Sequence, residues 1–258
     1  MQNWALILGG SSGLGLATAR ELARRGMNLC VVHRDRRSRQ VELDSVWEEI
    51  RATGVQVKTF NVDALRPDKR LEICEELYAE LGDEGRLRVL VHSIAKGNLK
   101  PMLSDESPQL QSDDFRLTLE AMATSLYDWV KECHLMGLFT NPASVISFTS
   151  EGNRKAWQNY AAVSAAKAAL EAITRNIALE FAPYGIRANC VQAGTTDTPS
   201  LRMIPGHEDL ITHSLQRNPY NRLTTPEDVA KVVGLLVQDE ALWINGAVIP
   251  VDGGEHVR

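Results

Sequence analysis

Short apolar runs alternate with longer amphipathic stretches along almost the whole chain. The short runs are rich in Val, Ile and Leu, a pattern that predicts strands covered on both faces: Trp4–Leu8, Asn28–Val32, Val55–Asn61, Val89–His92, Ser144–Phe148, Arg187–Gln192 and Ala247–Val251. Between them, apolar residues recur at helical spacing and predict helices: Leu14–Arg25, Val41–Thr53, Pro67–Leu81, Asp113–Met136, Tyr160–Phe181 and Pro226–Val237. Glycines stand near the ends of several of these helices, where a left-handed residue is useful: Gly26, Gly54, Gly82 and Gly137.

Repeated strand–helix units predict an α/β fold with helices on both faces of a doubly wound, parallel, seven-stranded sheet. The chain has 258 residues, enough for one well-buried core and short for two, so a single domain over residues 1–258 is expected. Two long stretches, Lys96–Ser112 and Thr195–Thr225, leave the scaffold after predicted strands. Open α/β sheets place their ligands at the carboxyl ends of the strands, so both stretches are candidates for covering a site.

The bulk composition narrows the class of protein. A net charge of -5 disfavours a nucleic-acid partner or an anionic membrane surface. No apolar run approaches the ~20 residues of a membrane span, and no signal peptide is expected, because the first residues lack a basic start and run directly into the first predicted strand. The four cysteines form no CxxC pair, so we expect reduced, buried thiols in a cytoplasmic protein. His207 and His213 have no neighbouring residues with metal-ligand spacing, so no metal is expected.

A glycine-rich turn follows the first predicted strand. Its three glycines have the spacing GxxxGxG, and a predicted helix leaves the turn. Glycines let the backbone turn sharply and let a pyrophosphate approach, while the helix directs its free N–H groups at that phosphate. The pattern therefore predicts a dinucleotide site, with a tight structural turn as the alternative. The expected contacts are Gly9, Ser11, Ser12, Gly13, Leu14 and Gly15.

Charged residues after the second predicted strand bear on which dinucleotide binds. An acidic residue there accepts a hydrogen bond from a ribose 2′-hydroxyl and favours NADH, whereas guanidinium groups suit the 2′-phosphate of NADPH. The first charged residue is Arg34, and three more arginines follow within five residues, so NADPH is favoured. Asp35 keeps NADH possible, and a solvated basic turn is the structural alternative. Asn61 and Val62, at the end of the third strand, are expected beside the adenine.

Tyr160 and Lys167 form the candidate catalytic pair. They are seven residues apart on one predicted helix, which is almost two turns, so both side chains share a face. A free tyrosine titrates near pH ~10, and a nearby ammonium favours the phenolate and lowers that pKa. The pair therefore suits acid–base chemistry, and Lys167 can also hold ribose hydroxyls. A capping tyrosine beside a solvated lysine is the structural alternative.

Together these motifs resemble the short-chain dehydrogenase/reductase family over nearly the whole chain. Further support comes from three segments: His92-Ser93-Ile94-Ala95, Ala193-Gly194-Thr195-Thr196-Asp197-Thr198 and Val251-Asp252-Gly253-Gly254. The resemblance implies a Rossmann-type fold that binds a nicotinamide coenzyme. It also implies coenzyme contacts at six more positions: Ser93, Ile94, Ala95, Gly194, Thr196 and Thr198.

Two departures from the ordinary family pattern point to one branch. Ordinary members have a tyrosine four residues before the lysine, where this chain has Val163, and Asn-Asn-Ala-Gly where it has His92-Ser93-Ile94-Ala95. Both changes are similar to those of the NADPH-dependent enoyl-[acyl-carrier-protein] reductases, which use a Tyr-x6-Lys spacing and a Ser-Ile-Ala segment. Moving the tyrosine three residues back shifts it by about 4.5 Å along the helix. That shift suits reduction of an enoyl thioester, because hydride goes to Cβ and negative charge gathers on a more distant oxygen.

The resemblance implies an enoyl-[acyl-carrier-protein] reductase of fatty-acid biosynthesis, an enzyme of lipid metabolism. Its substrate would be a trans-2-enoyl thioester of acyl carrier protein or coenzyme A, and the family implies a homotetramer. Tyr160 would stabilise the enolate, Lys167 would bind the ribose, and Ser150 falls where ordinary members keep a catalytic serine. Two alternatives stay open. One is a carbonyl reductase, for 3-oxoacyl groups or other ketones, that uses Ser150 with Tyr160, and the other is a non-catalytic coenzyme-binding regulator.

Two further expectations concern the surroundings of the site. The second long stretch would cover the acyl chain, with Trp157 and Met203 as wall residues. Lys96, Lys100 and Arg202 would face an acidic carrier protein at the mouth of the site.

Overall fold

The computed structural model describes residues 2–82 and 85–258, and its centre is one parallel sheet. The seven strands are β1 (Gln2–Leu8), β2 (Asn28–His33), β3 (Val57–Asn61), β4 (Gly85–His92), β5 (Phe139–Ser150), β6 (Ile186–Ala193) and β7 (Val248–Val251). Their order is β3-β2-β1-β4-β5-β6-β7 and every pairing is parallel, which confirms the predicted doubly wound sheet. The strand order reverses between β1 and β4, so a crevice for a ligand is expected at their carboxyl ends.

Helices cover both faces of the sheet. The α-helices are α1 (Gly13–Arg24), α2 (Gln40–Arg51), α3 (Pro67–Leu81), α4 (Ser112–Leu119), α5 (Ser125–Leu135), α6 (Ala161–Glu180), α7 (Pro199–Arg202), α8 (His207–Arg217) and α9 (Pro226–Leu236). One buried apolar layer contains side chains of α3, α5 and α6, and the other contains side chains of α1, α2 and α9. Strand residues alternate between the layers: Leu6 and Leu8 belong to the first, Ala5 and Ile7 to the second. This burial on both faces explains why the strands have continuous apolar sequences.

The single helix predicted over Asp113–Met136 is divided in the structure. After α4 ends, residues Glu120–Thr124 form a π-helical turn, and α5 then continues. The Ser125 hydroxyl donates to the carbonyl oxygen of Ala121 at 2.9 Å. A π turn adds one residue without disturbing the apolar pattern by more than a fraction of a turn, so sequence periodicity does not reveal it.

Residues 195–225, which we call the lid, contain two helices that the apolar pattern did not predict. They are α7 and α8, and they follow β6 at the carboxyl edge of the sheet. Ser214 is the buried residue of α8, and the rest of that helix is partly or fully exposed. A helix that lies on the surface in this way carries no broad apolar stripe, which is the signal that sequence periodicity detects.

The buried thiols agree with the sequence analysis. Cys30, Cys74, Cys133 and Cys190 are all free and buried. Across residues 2–82 and 85–258, no helix has the length and apolar character needed to cross a membrane. The same residues contain no group of three or more His, Cys, Asp or Glu side chains arranged to hold a metal ion.

Candidate active site

The glycine turn between β1 and α1 is shaped so that side chains are excluded. Gly9 has a φ of +83°, and a Cβ built on it would lie 2.4 Å from the carbonyl oxygen of Ser93. A Cβ built on Gly15 would lie 2.2 Å from the carbonyl oxygen of Gly9. Both contacts are with backbone atoms, which cannot swing away as a flexible side chain can. The turn is therefore held closely against the end of β4, at the point where the strand order reverses.

The first turn of α1 offers backbone donors to a ligand. Ser12 is the N-cap residue, and its side chain makes no capping hydrogen bond within the described part of the chain. The first N–H groups of a helix have no partner inside the helix and carry partial positive charge, so they favour an anion. Thr198 of the lid lies opposite, with its methyl carbon 3.4 Å from where a Cβ on Gly13 would stand. The turn, the helix end and the lid thus frame one space that suits a pyrophosphate.

The end of β2 is tied to this turn by a buried acid. Asp35 Oδ2 lies 2.9 Å from His33 Nδ1, its Oδ1 accepts from Arg39, and Ser11 of the turn is near enough to lower the pKa of Asp35. Burial raises the pKa of Asp35, but the hydrogen bonds from Ser11 and His33 and the charge of Arg39 outweigh it, so the pKa lies below its usual value. Both carboxylate oxygens are therefore already engaged by protein groups.

Arg34, the predicted ligand of a 2′-phosphate, is exposed and paired with an acid. Its Nη1 donates to Asp63 Oδ2 at 2.6 Å, and 63% of its side chain is exposed. Lys96 Nζ lies 3.7 Å from the same oxygen. Exposed ion pairs contribute little to stability, so a phosphate can replace Asp63 as the partner of both cations.

Asn61 and Val62, expected beside the adenine, fasten the chain after β2. The Asn61 side chain accepts from the Asp35 backbone N–H at 3.0 Å and donates to the Asp35 carbonyl oxygen at 3.2 Å. The Val62 N–H donates to the His33 carbonyl oxygen at 2.8 Å. Both polar groups of the Asn61 amide are thus hydrogen-bonded to the loop after β2, while the residue itself is exposed at the sheet edge.

The segment after β4 joins the glycine turn to the interior. The Ser93 N–H donates to the Leu8 carbonyl oxygen at 2.8 Å, and Ser93 Oγ lies 3.0 Å from where a Cβ on Gly15 would stand. Ile94 packs against the apolar cluster that contains Val163, and Ala95 is exposed. Ser93 therefore lies against the glycine turn, while the next residue, Ile94, packs against a cluster that includes residues of α6.

The segment after β6 brings the remaining predicted residues to the same edge. A Cβ on Gly194 would lie 2.4 Å from the Thr224 hydroxyl oxygen, so only glycine fits there. The Thr196 hydroxyl donates to the Gly194 carbonyl oxygen at 2.9 Å. The predicted coenzyme residues from β1, β2, β3, β4 and β6 are therefore gathered along the carboxyl edge of the sheet.

Lys167 is buried on the inner face of α6. Its Nζ donates to the Phe148 carbonyl oxygen at 2.6 Å, close to the end of β5. Burial lowers the pKa of Lys167 to about 8, and the negative charge of Glu171, one helical turn further on, opposes that shift. Glu171 is itself buried and accepts from the Thr149 hydroxyl at 2.7 Å. Burial thus brings the pKa of the Lys167 ammonium close to neutral pH.

Tyr160 and Ser150 bring two hydroxyls together at the end of β5. Tyr160 is the N-cap of α6, so the helix begins one residue later than predicted. Its ring lies on Gly152, where a Cβ would come within 2.5 Å of Tyr160 Cε1. The buried Ser150 hydroxyl completes no hydrogen bond within residues 2–82 and 85–258, yet it lies near enough to the phenol to lower the pKa of Tyr160. A buried hydroxyl without a complete partner is suited to a ligand oxygen.

The protonation state of Tyr160 differs from the expectation. Burial is the largest influence and raises the pKa of Tyr160 above its usual value, despite the opposing effect of Ser150. The expected lowering of this pKa is therefore wrong for the protein groups alone, because desolvation disfavours the phenolate. At neutral pH, Tyr160 is accordingly a neutral O–H donor.

Val163, the residue four positions before Lys167, is buried by close packing. Val163 is 5% exposed and belongs to a cluster with Ala121, Met122 and Ala166. A Cβ on Gly97 would lie 2.5 Å from Val163 Cγ2 and 3.0 Å from Met122 Sδ. The chain after β4 thus closes over this position and leaves no room for a tyrosine ring. Gly97 and Met122 could not be recognised from the sequence, because neither residue type carries a chemical signal of its own.

A cavity of about 660 Å³ opens beside Tyr160. Its walls are residues 100–103, residues 156–161 and two residues of α6, Ser164 and Ala165. Trp157 lines it as predicted, and its ring meets His213 of α8 edge to face, with 5.9 Å between centroids. Met203 is 73% exposed and takes no part in this wall. The volume lies within the range of about 300–1,000 Å³ that is typical of sites for small molecules.

The cations expected at the mouth of the site are all paired with aspartates. The pairs are Lys96–Asp63 at 3.7 Å, Lys100–Asp114 at 2.9 Å and Arg202–Asp197 at 2.8 Å. An acidic carrier protein would have to compete with these carboxylates. The expected role of these three side chains toward a carrier protein therefore stays a prediction.

Comparison with known proteins places this arrangement in context. A family model described as Enoyl-(Acyl carrier protein) reductase matches residues 9–256. The cis-4-hydroxycyclohexanecarboxylate dehydrogenase of Sinomonas cyclohexanicum is 30% identical over 256 residues, which are 97% of this chain and 95% of that protein. The 1-cyclohexenylcarbonyl-CoA reductase of Streptomyces collinus is 29% identical over 253 residues, 97% of this chain and 85% of that protein. The solved structure of the enoyl-[acyl-carrier-protein] reductase (NADH) from Aquifex aeolicus VF5 superposes with a TM-score of 0.84 at 25% identity, covering 99% of this chain and 97% of that one.

Proposed function

Since this chain belongs to the short-chain dehydrogenase/reductase family, and is therefore an oxidoreductase with a nicotinamide coenzyme, we propose that it is an enoyl-thioester reductase. Its substrate is a trans-2-enoyl thioester of acyl carrier protein or coenzyme A, as in fatty-acid biosynthesis. The observation that carries the proposal is the displaced hydroxyl. The hydroxyl groups of Tyr160 and Ser150 lie close together at the end of β5. The Val163 side chain, at the ordinary tyrosine position, is instead buried against Gly97 and Met122.

The displacement of the hydroxyl favours conjugate reduction over carbonyl reduction. In a carbonyl reduction, the carbon that accepts hydride also bears the oxygen that gathers charge. In an enoyl thioester the two are separated by two carbon atoms, so a proton or hydrogen-bond donor must stand farther from the hydride. Moving the donor from position 163 to Tyr160 shifts it by about 4.5 Å along the helix axis, a distance of the right order.

Two relatives support this choice of reaction. The Streptomyces collinus relative is a 1-cyclohexenylcarbonyl-CoA reductase, and that name describes a double bond conjugated to a thioester carbonyl. The Aquifex aeolicus structure is that of an enoyl-[acyl-carrier-protein] reductase. Both resemble this chain over nearly its whole length, so the likeness includes the catalytic helix and the lid.

The residues present fit a nicotinamide dinucleotide. The glycine turn leaves space that a Cβ would fill, and the first turn of α1 offers free N–H groups to the pyrophosphate. Thr198 lies opposite that turn, and in this proposal Lys167 binds the ribose hydroxyls. When bound, the reduced nicotinamide supplies the hydride that adds to Cβ of the substrate.

Tyr160 and Ser150 act on the thioester oxygen as it becomes the oxygen of an enolate. Because burial keeps the pKa of Tyr160 above its usual value, the phenol donates its O–H at neutral pH. The Ser150 hydroxyl, which completes no hydrogen bond to the described residues, is a second donor to the same oxygen. Fixed donors in a buried site stabilise developing charge more than they would in water. Lys167 adds a positive charge on the same face of α6.

Arg34 is expected to confer a preference for NADPH, because both oxygens of Asp35 are already engaged and Arg34, which is 63% exposed, pairs with Asp63 alone among residues 2–82 and 85–258. Arg34→Ala should weaken NADPH binding by about 10–100-fold, the value of a charge-assisted hydrogen bond, and leave NADH binding unchanged. Titration of intrinsic fluorescence with each coenzyme measures this. Arg36→Ala, in the same exposed loop, serves as the control and should change neither affinity much. An equal loss for both coenzymes would show that Arg34 has another role.

A carbonyl reductase is the second candidate, and one observation favours it. Ser150 stands at the end of β5 beside the Tyr160 hydroxyl, an arrangement that can also bind a ketone oxygen. The Sinomonas cyclohexanicum relative, a dehydrogenase of a hydroxycyclohexane acid, acts on an alcohol carbon. In that reading the substrate must lie closer to α6 to bring its carbonyl carbon to the hydride.

The test is a comparison of NADPH-dependent rates with crotonyl-CoA, acetoacetyl-CoA and a panel of simple ketones. We expect kcat/KM for crotonyl-CoA to exceed that for every ketone by at least about tenfold, a degree of discrimination that differential binding readily provides. Faster turnover of a ketone would support the second candidate. Coenzyme binding without turnover of any substrate would support a regulator that binds the coenzyme but does not react.

Gly152→Ala is expected to displace the Tyr160 ring and to lower kcat by about 10²-fold, because misplacing a catalytic group by about 1 Å has effects of that size. The new methyl group would otherwise stand 2.5 Å from Tyr160 Cε1. NADPH affinity should stay within about twofold, since the glycine turn is untouched. Arg154→Ala changes an exposed residue of the same loop and should leave kcat unaltered. Normal kcat in the Gly152→Ala enzyme would contradict the assigned place of Tyr160.

A further inference from the structure

A largely buried ionic contact joins the lid to the loop that carries the catalytic hydroxyls. Arg217, the last residue of α8, donates from Nη2 to Glu151 Oε1 at 2.8 Å and from Nη1 to Glu151 Oε2 at 2.9 Å. The two side chains are 11% and 21% exposed. Glu151 comes directly after Ser150, and the next residue, Gly152, underlies the Tyr160 ring. The guanidinium of the lid therefore contacts the residue immediately before Gly152, on which the catalytic ring rests.

The same arginine is fastened to the end of the chain. Arg217 donates from Nη2 to the Glu255 carbonyl oxygen at 2.7 Å and from Nε to the Arg258 carbonyl oxygen at 3.1 Å. The Glu255 carboxylate, in a residue that is 3% exposed, accepts from the Thr195 hydroxyl at 3.3 Å. Thr195, at the start of the lid, and Arg217, at the end of α8, are thus both held by residues 255–258.

The loop after Ser150 has anchors on its inner side as well. Ser164 of α6 donates to the Gly152 carbonyl oxygen, and Asn153 donates to the buried carboxylate of Glu171. Burial raises the pKa of Glu151, but the hydrogen bonds and charges of Arg217 and Lys155 outweigh it, so Glu151 is a carboxylate at neutral pH. The loop is therefore clamped between α6 on one side and a charged, two-point contact from the lid on the other.

We propose that Arg217 is a positioning residue that couples docking of the lid to the placement of Ser150 and Tyr160. When α8 is docked, the guanidinium holds Glu151 and keeps Gly152 beneath the tyrosine ring. When α8 moves away, the loop loses its outer anchor while the inner anchors remain. The contact between Trp157 and His213 joins the same two elements and moves with them. The effect on rate rests on the proposed function, but the coupling itself is a property of the fold.

Hydrogen–deuterium exchange of Arg217→Met tests the coupling without any substrate. We expect exchange to rise by about tenfold or more in both α8 and residues 151–158, while α1 and the central strands keep their rates. The control is Arg202→Met, which removes another two-point lid pair, Arg202–Asp197, at 2.8 Å for both contacts, with side chains 66% and 44% exposed. That pair does not reach the loop, so residues 151–158 should be unaffected. Faster exchange confined to α8, or spread evenly over the sheet, would overturn the proposal.

Steady-state kinetics supply the second readout. Arg217→Met and Glu151→Gln should each lower kcat for crotonyl-CoA by about tenfold with NADPH affinity within about twofold, and the double variant should be no slower than the single ones. Additive losses would mean that the two residues act separately and would overturn the coupling. If Arg217→Met does not fold, Arg217→Lys replaces it, because lysine keeps the charge but cannot make both contacts with Glu151. The same changes in exchange and in kcat are then expected, but smaller. If the wild-type enzyme reduces no substrate, the proposed function fails, while the exchange measurement still decides the coupling.

Discussion

Replacing Tyr160 with phenylalanine is expected to lower kcat for an enoyl thioester by about 10²–10³-fold, the usual effect of removing one donor aimed at developing negative charge. The ring and its contact with Gly152 remain, so the fold of the loop should be preserved. Coenzyme affinity should be nearly unchanged, since the glycine turn and Lys167 are intact. Steady-state rates with crotonyl-CoA and fluorescence titration with NADPH measure the two quantities.

Ser150→Ala is the matched comparison for this variant. If the two hydroxyls share an enolate oxygen, loss of the secondary donor should cost less than loss of the phenol, about tenfold in kcat, because Tyr160 still donates. If the enzyme reduces ketones, Ser150 should matter as much as Tyr160. A Tyr160→Phe enzyme that reduces crotonyl-CoA at a near-normal rate would remove the basis for assigning this residue any chemical role.

Lys167→Met is expected to change activity and stability in opposite directions. Because the proposed role of the ammonium is to bind the ribose hydroxyls, NADPH should bind at least about tenfold more weakly without it, and kcat should fall by about 10²-fold or more. Stability should rise, because the wild-type protein buries a charged lysine. Burial sets the pKa of Lys167 at about 8 in the folded protein against an ordinary value of 10.5. The difference corresponds to roughly 3 kcal/mol at most, reduced by the lost hydrogen bond to Phe148.

The sign of the pH dependence follows from the direction of that pKa shift. Between pH about 8 and 10.5 the unfolded chain binds more protons at this position than the folded protein does. Wild-type stability from this group therefore increases as pH rises through that window and is lowest below pH about 8. Urea unfolding without added coenzyme at pH 7 and pH 10 measures this contribution, and Lys167→Met should lack it. The exposed lysine variant Lys231→Met is the control, and a less stable Lys167→Met protein would contradict the account.

The fold and the placement of Tyr160 and Lys167 on one helix could be predicted because their signals are local in sequence. Each predicted apolar run coincides with one strand, although β4 and β5 begin four and five residues earlier than predicted. The glycine turn and the Tyr160–Lys167 spacing are likewise contained within single elements. A pattern of this kind needs no knowledge of distant parts of the chain, so the structure reproduces it with shifts of only a few residues at the ends of elements.

The parts that could not be predicted depend on contacts between distant segments. Gly97 and Met122 close over Val163 from two other elements, and neither residue is distinctive by itself. Arg217 and Glu151 are 66 residues apart and would ordinarily be assigned to the solvated surface. The direction of the Tyr160 pKa shift depends on how deeply the ring is buried, a quantity that sequence spacing does not contain.

One competition experiment tests the central claim most directly. Wild-type protein is incubated with 4-deuterated NADPH and equal concentrations of crotonyl-CoA and acetoacetyl-CoA, and the products are separated by mass. The ratio of products equals the ratio of the two kcat/KM values, and the label marks the carbon that accepted the hydride. Conjugate reduction assisted by Tyr160 predicts mainly butyryl-CoA with deuterium at Cβ. An excess of 3-hydroxybutyryl-CoA, labelled at the carbinol carbon, would contradict the assignment of this protein as an enoyl-thioester reductase.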